Sequence, residues 1–331
     1  MCGVLQVCTV LLLAVSSALG ADLAWQRISL EQRQTTLLPG LADHPALGRL
    51  DLRFCGSGSE SQLSRGPLGC GFPVVGDHPW LVALGFTGPD GRVVFSCSGA
   101  LISDQHVVTS ARCALGTRGY MLSTVRLGEY DFSSRRDCLW YDPTVCTEAT
   151  DVAVHSLTVH PDFVKHGGDP SRFDMALVQL SKPVTLGHGV QPICLPMFPL
   201  RHQPHRLYSL TMGLHSGPQP ERSTTTHVMD EERLALFNTS YDGPGPCQYR
   251  LLSEADGEPN RCLGSGTPCV ADLGAPLVAP DQFGSAYFLM GVASMRPAQR
   301  ECHRPGVSVS YAPVRPHVSW ILDSLALLAS I

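Results

Sequence analysis

Apolar and polar positions change places in short runs over most of the chain. Leu81–Phe86, Arg92–Ser96, Val125–Gly128 and Ala153–Val159 are each a few residues long, and Gly, Pro and Asp separate them. Runs of this length read as strands and the clusters between them as turns, which predicts an all-β body. The two ends differ. Val10–Val15 is an apolar run that leads to Ala18-Leu19-Gly20, the small-x-small form of a secretory cleavage site, so residues 1–20 are expected to be a signal peptide. The residues ahead of that run carry no Lys or Arg, unlike a typical signal. The run is shorter than the ~20 residues a bilayer span needs. At the other end Pro316–Ile331 reads as a closing α-helix, and its apolar tail is also too short to cross a membrane.

Residues 21–69 form an extension enriched in Gly, Ser, Pro and Gln. The run Ser57-Gly58-Ser59-Glu60-Ser61 has flexible-linker composition. The extension is expected to be mostly unstructured, with Leu50–Phe54 as a stretch suited to packing on the body, residues 70–331.

Charge and cysteine content narrow the classes. A formal net charge of −5 offers no basic field for a polyanion, which argues against a nucleic-acid partner. Thirteen cysteines, eleven once Cys2 and Cys8 leave with a signal peptide, suit an oxidising compartment, and no C-x-x-C pair marks a metal site. His202, His205 and His215 lie close in sequence, but their spacing fits no zinc motif, and a solvated loop accounts for them better. Asn238-Thr239-Ser240 is a sequon, so Asn238 is a candidate glycosylation site.

Four segments carry the chemical interest. Phe95-Ser96-Cys97-Ser98-Gly99-Ala100-Leu101-Ile102 is followed by Val107-Val108-Thr109-Ser110-Ala111-Arg112-Cys113, then by Phe173-Asp174-Met175-Ala176-Leu177, and finally by Pro268-Cys269-Val270-Ala271-Asp272-Leu273-Gly274-Ala275-Pro276-Leu277. With Pro192-Ile193-Cys194-Leu195-Pro196 between the last two, this series resembles the chymotrypsin/trypsin-like serine proteases over roughly residues 70–325. The resemblance implies two six-stranded antiparallel β-barrels with a C-terminal α-helix. It also assigns Arg112 to the position of the general-base His, Asp174 to the triad Asp and Leu273 to the nucleophilic Ser. A guanidinium has no lone pair to accept a proton near neutral pH, and leucine has no nucleophilic atom. Arg112 is therefore expected to pair with Asp174, and the chain is expected not to be an enzyme. A rearranged active endopeptidase would need Ser98 or Ser110 to reach substrate without a His.

Other positions depart from the family in the same direction. Thr267 stands where trypsin-like members place the Asp that neutralises a substrate Arg or Lys. Ser294-Met295-Arg296 replaces the S-W-G that pairs with substrate backbone, and no Lys or Arg lies between Cys70 and Trp80, where an activating cut is expected. Asp272, which pairs with the freed amino terminus in the family, then needs local backbone donors or an exposed loop.

By resemblance the disulfides are Cys70–Cys194, Cys97–Cys113, Cys138–Cys146, Cys247–Cys262 and Cys269–Cys302. Cys55 is left unpaired and is a candidate for a disulfide-linked dimer. One cysteine in the extension cannot build the six-cysteine clip domain of insect relatives. Val125–Asp131 followed by Cys138 and Cys146 is nonetheless most similar to the insect clip-type members. Glu129, Asp131, Asp137 and Glu148 match the family's occasional calcium loop, with a solvated loop as the favoured alternative and no other cofactor expected.

The functional expectation is a secreted, extracellular protease homologue that acts as adaptor, cofactor or regulator in an innate-immune cascade of prophenoloxidase or Toll type. Its partners would be protease zymogens or a phenoloxidase precursor. A microbial-surface recognition protein or decoy is the alternative.

Overall fold

A computed structural model describes residues 37–57, 70–71, 75–116, 119–139, 141–165, 170–198, 207–212, 235–238, 249–251, 261–263, 272–280, 286–295 and 309–328. Strand β1 (Cys70–Gly71) belongs to the second half of the molecule. The next strands are β2 (Leu81–Thr87), β3 (Val93–Leu101), β4 (His106–Thr109) and β5 (Met121–Leu127). With β8 (Thr150–Val159) and β9 (Ala176–Leu180) they close an antiparallel barrel in the order β2-β3-β4-β9-β8-β5. All four short runs of the sequence fall on these strands, with Arg92 just ahead of β3 and Gly128 just past β5. Leu81–Phe86 is buried throughout, which is why it is an almost unbroken apolar run rather than an alternation.

Between β5 and β8 a separate hairpin, β6 (Arg136–Leu139) with β7 (Asp142–Glu148), pairs Cys138 opposite Cys146, and the two form a disulfide. A second disulfide joins Cys97 of β3 to Cys113.

The second half contributes β10 (Tyr208–Thr211), β11 (Ala235–Asn238), β12 (Tyr249–Leu251), β13 (Arg261–Leu263), β14 (Pro276–Pro280), β15 (Tyr287–Met295) and β16 (Val309–Pro313). Its described strands form an eight-stranded sheet, β1-β11-β10-β14-β15-β16-β12-β13, in which only β12 and β16 run parallel. The architecture is all-β and chymotrypsin-like, with one closed six-stranded barrel among the described residues. Helices are short: α1 (Ala111–Ala114), α2 (Pro161–Lys165) and the closing α3 (Val318–Leu327), which follows a 3-10 turn, Arg315–His317. Leu322, Leu325 and Ile321 turn the apolar face of α3 into the main core. No helix among the described residues is long and apolar enough to cross a membrane.

The extension departs from expectation. Residues 37–57 are folded onto the body, with Leu41, Ala46 and Leu50 inside the same core cluster as the barrel. Backbone bonds hold this segment at both ends: Leu38 N–H donates to the Met197 carbonyl at 2.7 Å and Gly56 N–H to the Pro192 carbonyl at 2.7 Å. Gly56 has φ +69°, and a Cβ there would collide with the backbone of Tyr287, so only glycine permits this approach. The docked segment delivers Cys55 to Cys194, and these two form the disulfide.

The expected Cys70–Cys194 bond and an unpaired Cys55 are therefore both incorrect, and so is a dimer linked through Cys55. Three apolar anchors bring Cys55 to Cys194, which bridges to Phe288 of β15, whereas Cys70 sits opposite Phe237 at the far end of the sheet order. Cys262 lies in β13, while Cys247, Cys269 and Cys302 fall outside the described residues.

Candidate functional site

Arg112 is placed by a single helical turn. The Ser110 hydroxyl accepts the Cys113 N–H at 3.2 Å and caps α1, and the Cys97–Cys113 disulfide ties that turn to β3. Asp174 sits between the 3-10 turn Pro170–Phe173 and β9, and its side chain is fully buried. Ser294 comes from β15 in the other half and is also fully buried. The three converge. Arg112 Nη1 donates to Asp174 Oδ2 at 2.6 Å, and the Arg112 backbone N–H donates to Oδ1 at 2.9 Å. Ser294 Oγ donates to Asp174 Oδ2 at 2.7 Å and accepts from Arg112 Nη1 at 2.8 Å.

Arg112 Nη1 also lies 3.1 Å from the Ser294 carbonyl, and the guanidinium stands 5.5 Å from the Phe163 ring centre. The side chain remains 31% exposed at its outer edge. Burial pushes the Asp174 carboxyl above its ordinary value, while the Ser294 hydroxyl and the Arg112 backbone and guanidinium donors pull it back.

The Arg112–Asp174 pair is thus as expected, and Ser294 is the member of the cluster that the sequence did not place on Asp174. Its hydroxyl closes the ring of donors around Asp174, and its carbonyl accepts from Arg112. Chemically this is a cluster of donors satisfying one carboxylate. Arg112, at the position of the general-base His, is a donor only, and the one proton-accepting group of the cluster, the Asp174 carboxylate, is occupied by these donors.

The nucleophile-position loop is built differently. Gly274 has φ +79°, and a Cβ there would run into the Ser98 carbonyl and Thr109 Oγ1. Leu273 is half-buried against the main core, and its carbonyl accepts the Ser98 N–H at 2.9 Å. Asp272 is fully buried, and its Oδ2 accepts the Met212 backbone N–H at 2.7 Å and the Ser98 hydroxyl at 3.0 Å. The exposed alternative for Asp272 is excluded, and the backbone donor it needed is Met212. Ser98 is buried on Asp272 and Ser110 is buried as a helix cap, so neither hydroxyl is presented as a substitute nucleophile.

Thr267, Arg296, His202, His205 and His215 lie outside the described residues. Asn238 ends β11 opposite Tyr208, with the rest of its sequon outside them. The four carboxylates of the calcium reading point to separate partners. Glu129 pairs with Arg126 at 3.3 Å and Glu148 with Arg135 at 3.4 Å, Asp131 accepts from Ser133, and Asp137 accepts from Ser134 and the Asp131 N–H. Among the described residues no group of three or more His, Cys, Asp or Glu side chains is arranged to hold a metal.

Comparison with known proteins agrees with the geometry. A family model described as Trypsin matches residues 71–321. Phenoloxidase-activating factor 3 of Holotrichia diomphalia is 29% identical over 259 residues, which is 76% of this chain and 70% of that protein. CLIP domain-containing serine protease B4 of Anopheles gambiae is also 29% identical over 259 residues, covering 76% of this chain and 68% of the relative. Among solved structures, the Drosophila Grass clip serine protease of the Toll pathway superposes with a TM-score of 0.62 at 23% identity, over 82% of this chain and 74% of that one, a likeness of fold. A family match across most of the chain, on a closed barrel that carries Arg112 and Asp174 at the expected positions, shows that the chain belongs to the chymotrypsin/trypsin-like serine protease family.

Proposed function

We propose that this chain is a secreted, non-catalytic serine protease homologue that works by binding, as an adaptor, cofactor or regulator in an extracellular protease cascade of prophenoloxidase or Toll type. The observation that carries the proposal is the Arg112–Asp174–Ser294 cluster. Arg112 Nη1 is committed to Asp174 Oδ2 and to both oxygens of Ser294, and a guanidinium cannot act as general base. Leu273 adds no nucleophile. Loss of either triad member alone removes almost all catalysis in a protease of another fold, on the order of a million-fold. The similarity to a phenoloxidase-activating factor and to CLIP-domain proteases supports the cascade, and the signal-like residues 1–20 support secretion.

The test has two arms. Fluorophosphonate should leave the native, disulfide-intact chain unlabelled under conditions that label trypsin, and labelling that vanishes on denaturation would refute the non-catalytic reading. Affinity capture with the mature chain as bait, in the extracellular fluid of its source, should enrich trypsin-like zymogens or a phenoloxidase precursor. Retention on bacterial or fungal cell walls with no such enrichment would refute the cascade role.

A further inference from the structure

The closing helix meets the first half of the molecule through two histidines that the site does not use. His160 stands between β8 and α2, and His317 ends the 3-10 turn that leads into α3. Both are buried. His160 Nδ1 accepts the Asp162 backbone N–H at 3.2 Å, His317 Nε2 lies 3.0 Å from the Arg172 carbonyl, and His317 Nδ1 faces His160 Nε2 at 3.0 Å.

These contacts fix the protons. A carbonyl only accepts, so His317 Nε2 carries hydrogen, and a backbone N–H only donates, so His160 Nδ1 is bare. In two neutral rings the bond between them must then run from His160 Nε2–H to His317 Nδ1. No other arrangement satisfies all three bonds. An added proton on His317 would set two N–H groups against each other, and one on His160 would face the Asp162 N–H. Phe173 and Trp320 pack on His160 with ring centres at 5.5 and 4.8 Å, and Phe173 also packs on His317.

We propose that the His160–His317 pair is an acid-released clasp. When neutral it fixes α3 against residues 160–165 and 170–175, and when protonated it opens and loosens the wall beside the Arg112 cluster. The link to that wall is short. His160 N–H donates to the Met175 carbonyl at 2.9 Å, next to Asp174, and Phe163 N–H donates to the His160 carbonyl beneath the Arg112 guanidinium.

The charged groups facing the pair are Asp162 and Lys165 on α2 and Arg172 on the turn before Asp174. Asp162 favours the charged rings and the two cations oppose them. Burial, helped by the neighbouring His317, lowers His160 to about 4, and burial lowers His317 as well. A histidine held neutral contributes its full stability above its unfolded value near 6.5 and loses it as pH falls through 6.5 toward about 4. Each pH unit in that window raises the opening constant up to about tenfold per histidine.

The test uses the full chain with its disulfides intact. Histidine C2–H exchange read by mass spectrometry from pH 4 to 8 should place His160 at least about one unit below 6.5, and titration of His160 near 6.5 would overturn the clasp. Amide exchange of residues 160–165, 170–175 and 318–327, corrected for the intrinsic pH effect, should accelerate at least about tenfold between pH 6.5 and 4.5, with β2 unchanged. In His317→Phe that acid-dependent component should shrink, because one of the two titrating rings is gone, and an equal acceleration in both proteins would refute the proposal. If the variant fails to fold, the C2–H measurement on the native chain still decides.

Discussion

Replacing Arg112 by Met keeps an unbranched side chain against Phe163 and removes the guanidinium. Asp174 then stays fully buried with two donors, the residue 112 backbone N–H and the Ser294 hydroxyl, and without its cation. Breaking a buried pair from the cationic side costs about 3–5 kcal/mol. The partly exposed guanidinium places this case near the low end, about 3 kcal/mol. The converse change is milder. Asp174→Asn strands an arginine that can turn toward water, and a lost charged hydrogen bond costs about 1–3 kcal/mol.

Urea denaturation of the oxidised protein at pH 7.5, with the double variant completing a cycle, measures both costs and their coupling. The pH dependence adds a check on the cause. Burial already raises Asp174, and without the guanidinium its folded value rises further, so the Arg112→Met protein binds more protons folded than unfolded. Its deficit should narrow as pH falls through that raised value toward the unfolded ~3.9. A smaller loss for Arg112→Met than for Asp174→Asn, or a deficit that does not change with pH, would refute the account of Arg112 as the counter-ion of a buried carboxylate.

Two further outcomes follow from the docked extension and the remodelled loop. Non-reducing peptide mapping should recover Cys55 linked to Cys194 in a monomeric chain, and Cys55→Ser should cost about 2–5 kcal/mol and speed proteolysis within residues 37–57; recovery of a free Cys55 thiol would count against it. Gly274→Ala should destabilise by at least ~2 kcal/mol, because the left-handed backbone and the Ser98 carbonyl both oppose a Cβ; a near-neutral thermal midpoint would mean that the loop relaxes freely.

Much of the molecule follows from local order in the chain. The short apolar runs become strands of the closed barrel, and the motifs around Arg112, Asp174 and Leu273 carry the family resemblance and put a guanidinium and an alkyl side chain at its base and nucleophile positions. Those properties depend on period, on short loops and on side-chain chemistry, all of which are carried by adjacent residues. Contacts between distant segments are a different matter. The family pairing uses the other ten cysteines and leaves Cys55 over, yet Leu41, Ala46 and Leu50 find apolar surface on the body and carry Cys55 to Cys194 across 139 residues of sequence. Ser294 likewise reaches Asp174 across 120 residues, and His317 reaches His160 across 157. No composition or periodicity encodes those meetings, because burial of apolar surface is non-directional and only the packed arrangement of both halves determines which polar groups end up sharing a proton.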